Sequence, residues 1–196
     1  MKIRALALVA VILTAVTGPT IADDRQKVGG ATVDEDEAAR RYFTDTELVD
    51  QDGKPRRFYS DLIRGRKVLI NFGFTSCNGV CPTMAANLAR VQKLLGKRLG
   101  TEITMLTITV DPVNDTPAAL KRYAAKFKAE PGWYFLTGVP ANVNAVLKRL
   151  GGLAPRPSEH SAVLLVGDAN SGYWVKTAAV DNPESIVMLL DHLDDK

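Results

Sequence analysis

Residues 67–88 read K-V-L-I-N-F-G-F-T-S-C-N-G-V-C-P-T-M-A-A-N-L and combine a strand, a pair of cysteines and the start of a helix. The first eight residues are almost continuously apolar, which is typical of a strand covered on both faces. Pro82 is tolerated only in the first turn of a helix, and apolar residues recur after it at helical spacing. The chain therefore passes from a central strand, through a loop that contains Cys77, into a helix that begins near Cys81.

Strands and helices alternate on both sides of this unit. Further strands are predicted at residues 102–110, 133–136, 161–166 and 173–180, and helices at residues 116–127, 142–150 and 183–193. Residues 48–58 predict a hairpin with its turn at Asp52-Gly53. Strand–helix–strand units require parallel central strands with right-handed crossovers. The expected fold is α/β and thioredoxin-like, with a central mixed sheet, helices on both faces and an extra N-terminal β-hairpin.

The N-terminus has the organisation of an export signal. Lys2 and Arg4 precede an apolar run over residues 5–16, and Thr20-Ile21-Ala22 places small residues where signal peptidase requires them. The apolar run is too short to cross a bilayer comfortably. We therefore expect a cleavable signal peptide over 1–22, a flexible leader over 23–44 and one domain over 45–196. The expected location is the periplasm, with an uncleaved N-terminal membrane anchor facing the periplasm as the alternative.

Composition excludes some function classes. Without residues 1–22, which hold Lys2 and Arg4 and no acidic residue, the formal net charge falls from +3 to +1. The sequence has no cluster of Lys and Arg with interleaved aromatics, so we expect no nucleic-acid partner, and membrane contact only through a partner protein. Two cysteines are too few for a disulfide-stapled fold, which makes their close spacing the informative feature.

Cys77 and Cys81 lie at the carboxyl end of the first central strand, where open α/β sheets bind ligands. The N-terminus of the following helix favours a thiolate there. Three interpretations remain open: a structural disulfide, a thiol–disulfide redox pair and a site for a soft metal. A structural zinc site would need four ligands, whereas two sulfurs and one nitrogen suit three-coordinate Cu(I).

The chain has two histidines that could supply the nitrogen. His192 lies near the end of the last helix beside acidic residues, and we interpret it as a solvated imidazole. His160 follows a proline-rich loop and directly precedes a strand. In a thioredoxin-like fold this loop lies next to the cysteine pair, so we expect His160 to approach Cys77 and Cys81. A turn residue or a partly buried polar residue is the alternative.

Three segments, in order, resemble the Sco/SenC family of copper chaperones. F-G-F-T-S-C-N-G-V-C-P-T-M at residues 72–84 is similar to the family signature F-x-x-T-x-C-x-x-x-C-P-T. T-V-D-P-V-N-D-T-P at residues 109–117 is similar to D-P-x-x-D-T-P, and E-H-S-A at residues 159–162 is similar to the D-H-S segment that carries the family's metal histidine. The resemblance covers roughly residues 45–195.

The resemblance implies that Cys77, Cys81 and His160 hold one copper ion per chain. It also implies a role in building the dinuclear copper site of a cytochrome oxidase. The expected partner is the oxidase's copper-binding subunit or another periplasmic copper protein. The alternative is a thiol–disulfide oxidoreductase that reduces the cysteines of a copper acceptor, with Cys77 and Cys81 as its redox-active disulfide. Family members usually carry a membrane anchor, so the cleavable N-terminus predicts a soluble periplasmic variant.

Two aspartates belong to the second segment. Asp111 matches the family's first aspartate at the carboxyl end of a strand. It is a candidate for orienting the metal ligands through hydrogen bonds without binding the metal itself, or for contacting a partner protein. Capping of the following turn is the alternative. Asp115 is expected to cap the helix that begins at Thr116-Pro117.

Overall fold

The structure, a computed structural model, describes residues 33–193. The predicted signal peptide at 1–22 and the first part of the predicted leader lie outside the described residues. Among the residues that are described, no helix has the length and apolar character needed to cross a membrane.

A seven-stranded mixed sheet forms the centre of the fold. Its strands are Glu47–Asp50 (β1), Pro55–Arg57 (β2), Lys67–Gly73 (β3), Ile103–Thr109 (β4), Trp133–Thr137 (β5), Val163–Asp168 (β6) and Tyr173–Ala178 (β7). They lie in the order β2-β1-β5-β4-β3-β6-β7. Strands β3, β4 and β5 are parallel, and β1 and β6 pair antiparallel to the two sides of this group. The predicted mixed sheet with an N-terminal hairpin is confirmed.

Helices cover both faces of the sheet. Those of the described chain are Val33–Phe43 (α1), Phe58–Leu62 (α2), Val80–Leu95 (α3), Pro117–Lys126 (α4), Pro140–Leu150 (α5) and Pro183–His192 (α6). Apolar residues of α3, α4 and α6 form the core on one face, and those of α1, α2 and α5 form the core on the other. Because β3 and β4 are parallel, the loops that follow them meet at one edge of the sheet.

Helix α1 occupies the second half of the segment that was expected to be a flexible leader. Its last residue, Phe43, is buried, with its ring stacked 6.2 Å from that of Tyr59 and tilted against that of Trp174 at 4.8 Å. The carboxylate of Asp36 accepts hydrogen bonds from the Tyr59 hydroxyl and from Arg64. Most side chains of α1 are solvated, which explains its polar composition. The aromatic ring of Phe43 and the carboxylate of Asp36 hold the helix, together with Arg149, which donates to the carbonyl oxygens of Arg41 and Tyr42.

Candidate metal centre

The two cysteines and the histidine predicted as ligands meet at the carboxyl edge of the parallel strands. The Sγ atoms of Cys77 and Cys81 and a ring nitrogen of His160 all lie within 4.8 Å of one another. Cys77 lies in the loop after β3, Cys81 is the second residue of α3, and His160 directly follows a short 3-10 turn at Pro157–Glu159. Metal–sulfur and metal–nitrogen bonds are about 2.0–2.3 Å long, so small side-chain adjustments would let one ion contact all three atoms.

The two thiols differ in exposure. Cys81 is 2% exposed, whereas Cys77 is half-buried. Burial is the main cause that raises the pKa of the Cys81 thiol to about 12, and a hydrogen bond with Cys77 adds to it. The sequence predicted that the helix N-terminus would favour a thiolate here. For Cys81 that prediction is wrong, because loss of hydration disfavours the charged form more strongly.

His160 presents a neutral nitrogen to Cys81. Its Nε2 lies 3.0 Å from the Cys81 sulfur, and its Nδ1 lies 3.2 Å from the Ser161 carbonyl oxygen. A carbonyl oxygen only accepts, so Nδ1 carries the proton and Nε2 keeps its lone pair. Burial lowers the pKa of His160, which keeps the imidazole neutral at neutral pH. Phe74 packs edge-on against the ring, with 5.7 Å between the centroids.

His192 and Asp111 do not join this cluster. His192 is exposed, and its Nδ1 lies 2.7 Å from the Met188 carbonyl oxygen. Asp111 is half-buried, and its carboxylate accepts two hydrogen bonds from the side-chain amide of Asn114. Its backbone carbonyl also accepts from the next turn. These contacts match the turn-capping alternative for Asp111.

Asp115 has a different role from the predicted helix cap. Thr116 caps α4 instead, because its hydroxyl accepts from the backbone N–H of Ala119. The Asp115 side chain is buried and accepts hydrogen bonds from the backbone N–H and hydroxyl of Thr75 and from the hydroxyl of Thr109. Asp115 therefore ties the loop that carries Cys77 to the end of β4. The signal in the sequence that could have indicated this role is the presence of two hydroxyl residues, Thr75 in the cysteine segment and Thr109 in the segment that contains Asp115.

Comparison with known proteins assigns the family. The SCO1/SenC family model matches residues 34–192. The chain belongs to the SCO1/SenC family. Among its relatives, the SCO2-like protein of Rickettsia felis is 32% identical over 180 residues, which cover 87% of this chain and 78% of the relative.

Solved structures of Sco proteins share the fold. Bradyrhizobium japonicum ScoI, solved with copper bound, is 29% identical, with a TM-score of 0.63 over 76% of this chain and 96% of that one. BsSco is a member of the Sco family of cytochrome c oxidase assembly proteins in which a disulfide switch has been identified. It is 25% identical, with a TM-score of 0.65 over 78% of this chain and 93% of that one. The predicted fold and the resemblance to the family are thus confirmed.

Proposed function

We propose that this Sco protein is a periplasmic copper metallochaperone that delivers one copper ion to the dinuclear copper site of a cytochrome oxidase. The observation that carries the proposal is the approach of the Cys77, Cys81 and His160 ligand atoms to within 4.8 Å of one another. Two sulfurs and an imidazole nitrogen select soft Cu(I) over harder ions. The copper-bound relative ScoI and the oxidase-assembly protein BsSco support the same function.

The three ligands have unequal access to a partner. Cys81 and His160 are buried, whereas Cys77 is half-buried at the edge of the site. An acceptor's ligand would therefore approach the copper ion beside Cys77. The ion would then pass to the acceptor by exchange of one ligand at a time, which requires no catalytic base. The signal-like residues 1–22 support the periplasmic part of the proposal, and N-terminal sequencing of the exported protein tests it.

Copper titration of the reduced protein tests the ligand set. We expect one copper per wild-type chain and loss of stable binding in Cys77→Ser and Cys81→Ser. His160→Ala should weaken copper binding by at least about 100-fold, since even residues that only hydrogen-bond to the metal ligands contribute about 10–100-fold to metal affinity. His192→Ala is the matched control and should bind like the wild type. Wild-type affinity in His160→Ala would contradict the proposal.

A thiol–disulfide reductase is the second candidate, and the unequal exposure of the two thiols favours it. The half-buried Cys77 thiolate would attack a disulfide of the acceptor, and the buried Cys81 would then displace the acceptor. The products are a Cys77–Cys81 disulfide and two acceptor thiols, so two electrons move to the acceptor. Normal oxidase assembly with His160→Ala, together with failed assembly with Cys77→Ser, would favour this candidate over the chaperone.

A further inference from the structure

Helices α3 and α4 carry basic residues and no acidic ones. The chain has 22 Asp and Glu residues in all, yet none falls in either helix. The basic residues of these helices are Arg90, Lys93, Lys121, Arg122 and Lys126, and Lys128 follows α4. Both helices lie on the same face of the sheet. The surface formed by these two helices therefore has a positive potential that the net charge of the whole chain does not reveal.

A groove follows this face between the two helices. One part is a pocket of about 380 Å³ that includes Ala86 and Ala89, with Arg90 and Lys93 of α3 facing Lys126 and Lys128. A second pocket of about 370 Å³ shares Lys126 and continues past Arg122 to Thr75. We call this surface the basic groove and define it by its five cations, Arg90, Lys93, Arg122, Lys126 and Lys128.

The five cations of the basic groove are exposed, and none forms an ion pair with any residue the structure describes. Neighbouring cations differ in this respect. Lys121 lies 2.9 Å from Asp52, and Arg98 pairs with Glu102 and Asp191. Glu130 is the single acidic residue that lines either pocket. Five like charges held close together with a single acidic residue beside them repel one another, so the groove is complementary to an anionic ligand.

The basic groove leads to the metal centre. Its far end is lined by Thr75, which lies two residues before Cys77 and is held by Asp115. The N-terminus of α3, at Cys81, lies at the same edge and adds positive partial charge there. A chain lying in the groove would therefore continue toward the half-buried thiol of the centre.

We propose that the basic groove docks an acidic segment of the protein that receives the copper ion. This inference rests on the proposed function and adds the means by which the acceptor is aligned. The groove is concave and has cations on both walls, which suits an extended chain with several Asp or Glu residues better than a flat membrane surface. Its aromatic residues, Tyr123 and Phe127, are buried or half-buried, so it lacks the exposed stacking surfaces that single-stranded nucleic acids use.

Charge reversal with a matched control tests the proposal. The full chain with Lys93→Glu and Lys126→Glu is compared with Lys148→Glu and Lys176→Glu, which produce the same change in net charge at an exposed pocket away from the groove. The probe is a fluorescein-labelled oligoglutamate peptide, with binding followed by fluorescence anisotropy over a series of salt concentrations. We expect the groove variant to bind at least about tenfold more weakly and the control to stay near the wild type.

Other outcomes would overturn the proposal. An equal loss in both double variants would show that only net charge matters. In another such outcome, the wild type binds phosphatidylglycerol vesicles or single-stranded DNA more tightly than the peptide and loses this binding in the groove variant. That result would assign the surface to a membrane or a nucleic acid. If the double reversal does not fold, as judged by circular dichroism, Lys93→Gln with Lys126→Gln replaces it, and unchanged peptide binding there would refute the groove.

Copper uptake is measured separately on the same proteins. The groove variant should take up copper like the wild type, because neither lysine belongs to the cysteine–histidine cluster. A wild-type chain that binds the peptide through the groove but takes up no copper would refute the proposed function alone. A chain that takes up copper but binds the peptide equally well in all variants would refute the groove alone.

Discussion

The Nε2 atom of His160 lies 3.0 Å from the sulfur of Cys81, although the two residues are 79 positions apart in the sequence. The contact results from sheet topology. Strand β3 delivers the cysteine loop to the carboxyl edge of the parallel strands, and the antiparallel strand β6 begins at that same edge. The loop that leads into β6 is therefore brought to the loop and helix N-terminus that follow β3. A nitrogen with a free lone pair thus faces a protonated thiol, and this has a measurable consequence for metal binding.

Copper affinity should rise with pH. Burial raises the pKa of Cys81 to about 12, so its thiol is protonated near neutrality and must lose a proton when a metal binds. His160 has a lowered pKa and loses no proton under these conditions. Protons therefore compete with copper at Cys81, and affinity falls as pH falls. We expect this thiol alone to contribute about a tenfold increase in affinity per pH unit.

The pH series needs a thiol control. Affinity is measured between roughly pH 6.5 and 8.5 against a competing Cu(I) ligand of known pH dependence, a range well below the raised pKa of Cys81. In Cys81→Ser, whatever residual binding remains should have a slope smaller by about one proton. Equal slopes in the two proteins would show that Cys81 binds copper without losing a proton, or does not bind it.

Asp115→Asn should loosen the loop that carries Cys77. The carboxylate accepts from Thr75 and Thr109, and an amide has a single oxygen with which to accept. Leaving a buried hydroxyl without its acceptor costs about 1–3 kcal/mol, which urea unfolding would detect. Copper affinity should fall by about 10-fold, because the loop no longer holds Cys77 in place.

The matched control for this variant is Asp111→Asn. The Asp111 carboxylate is half-buried, and within the described structure it accepts hydrogen bonds only from the Asn114 side chain. Its replacement should change the free energy of unfolding by less than about 0.5 kcal/mol. If both variants lose the same stability, the buried contacts of Asp115 have no special role in holding the loop.

The sequence was sufficient to predict the sheet and the meeting of Cys77, Cys81 and His160. Hydrophobic runs mark buried strands, and the handedness rule for crossovers leaves few ways to arrange them. Once the strands are placed, the cysteine loop that follows β3 and the histidine loop that precedes β6 must lie at the same edge of the sheet. The positions of the three side chains thus follow from chain topology, which does not depend on the details of packing.

The role of Asp115, the pKa of Cys81 and the presence of α1 could not be predicted in the same way. An aspartate before Thr-Pro suits a helix cap as well as a buried loop anchor, and only the location of Thr75 distinguishes them. The pKa of Cys81 depends on how completely the fold removes water from the thiol. Helix α1 is polar over most of its length and depends on the docking of Phe43, a contact with Trp174 across 131 positions of sequence.

Phe43→Ala should destabilise the domain by about 3 kcal/mol, the typical cost of removing a buried aromatic ring. Phe43 is 5% exposed and packs against Tyr59 and Trp174. Tyr42→Ala is the control, because Tyr42 is its neighbour in α1 and is 58% exposed. We expect the control to lose less than about 1 kcal/mol in urea unfolding. Similar values for the two variants would mean that α1 is not docked through Phe43.

Gly152→Ala should disturb both stability and copper binding. A Cβ atom at Gly152 would lie 2.5 Å from the ring of Phe72, which is fully buried. Overpacking of this kind costs about 1–3 kcal/mol. Because Gly152 lies near the start of the loop that leads from α5 to His160, a displaced backbone there should also move the imidazole and lower copper affinity.

A second substitution separates the steric clash from any other effect of the added methyl group. Phe72→Leu removes ring atoms that the new Cβ would meet, so Gly152→Ala should cost less in the Phe72→Leu background than in the wild type. A coupling of about 1 kcal/mol or more in this double-mutant cycle is the expected result. Additive effects would place the origin of any loss in the loop backbone, and the contact between Gly152 and Phe72 would then not be what holds the His160 loop against the sheet.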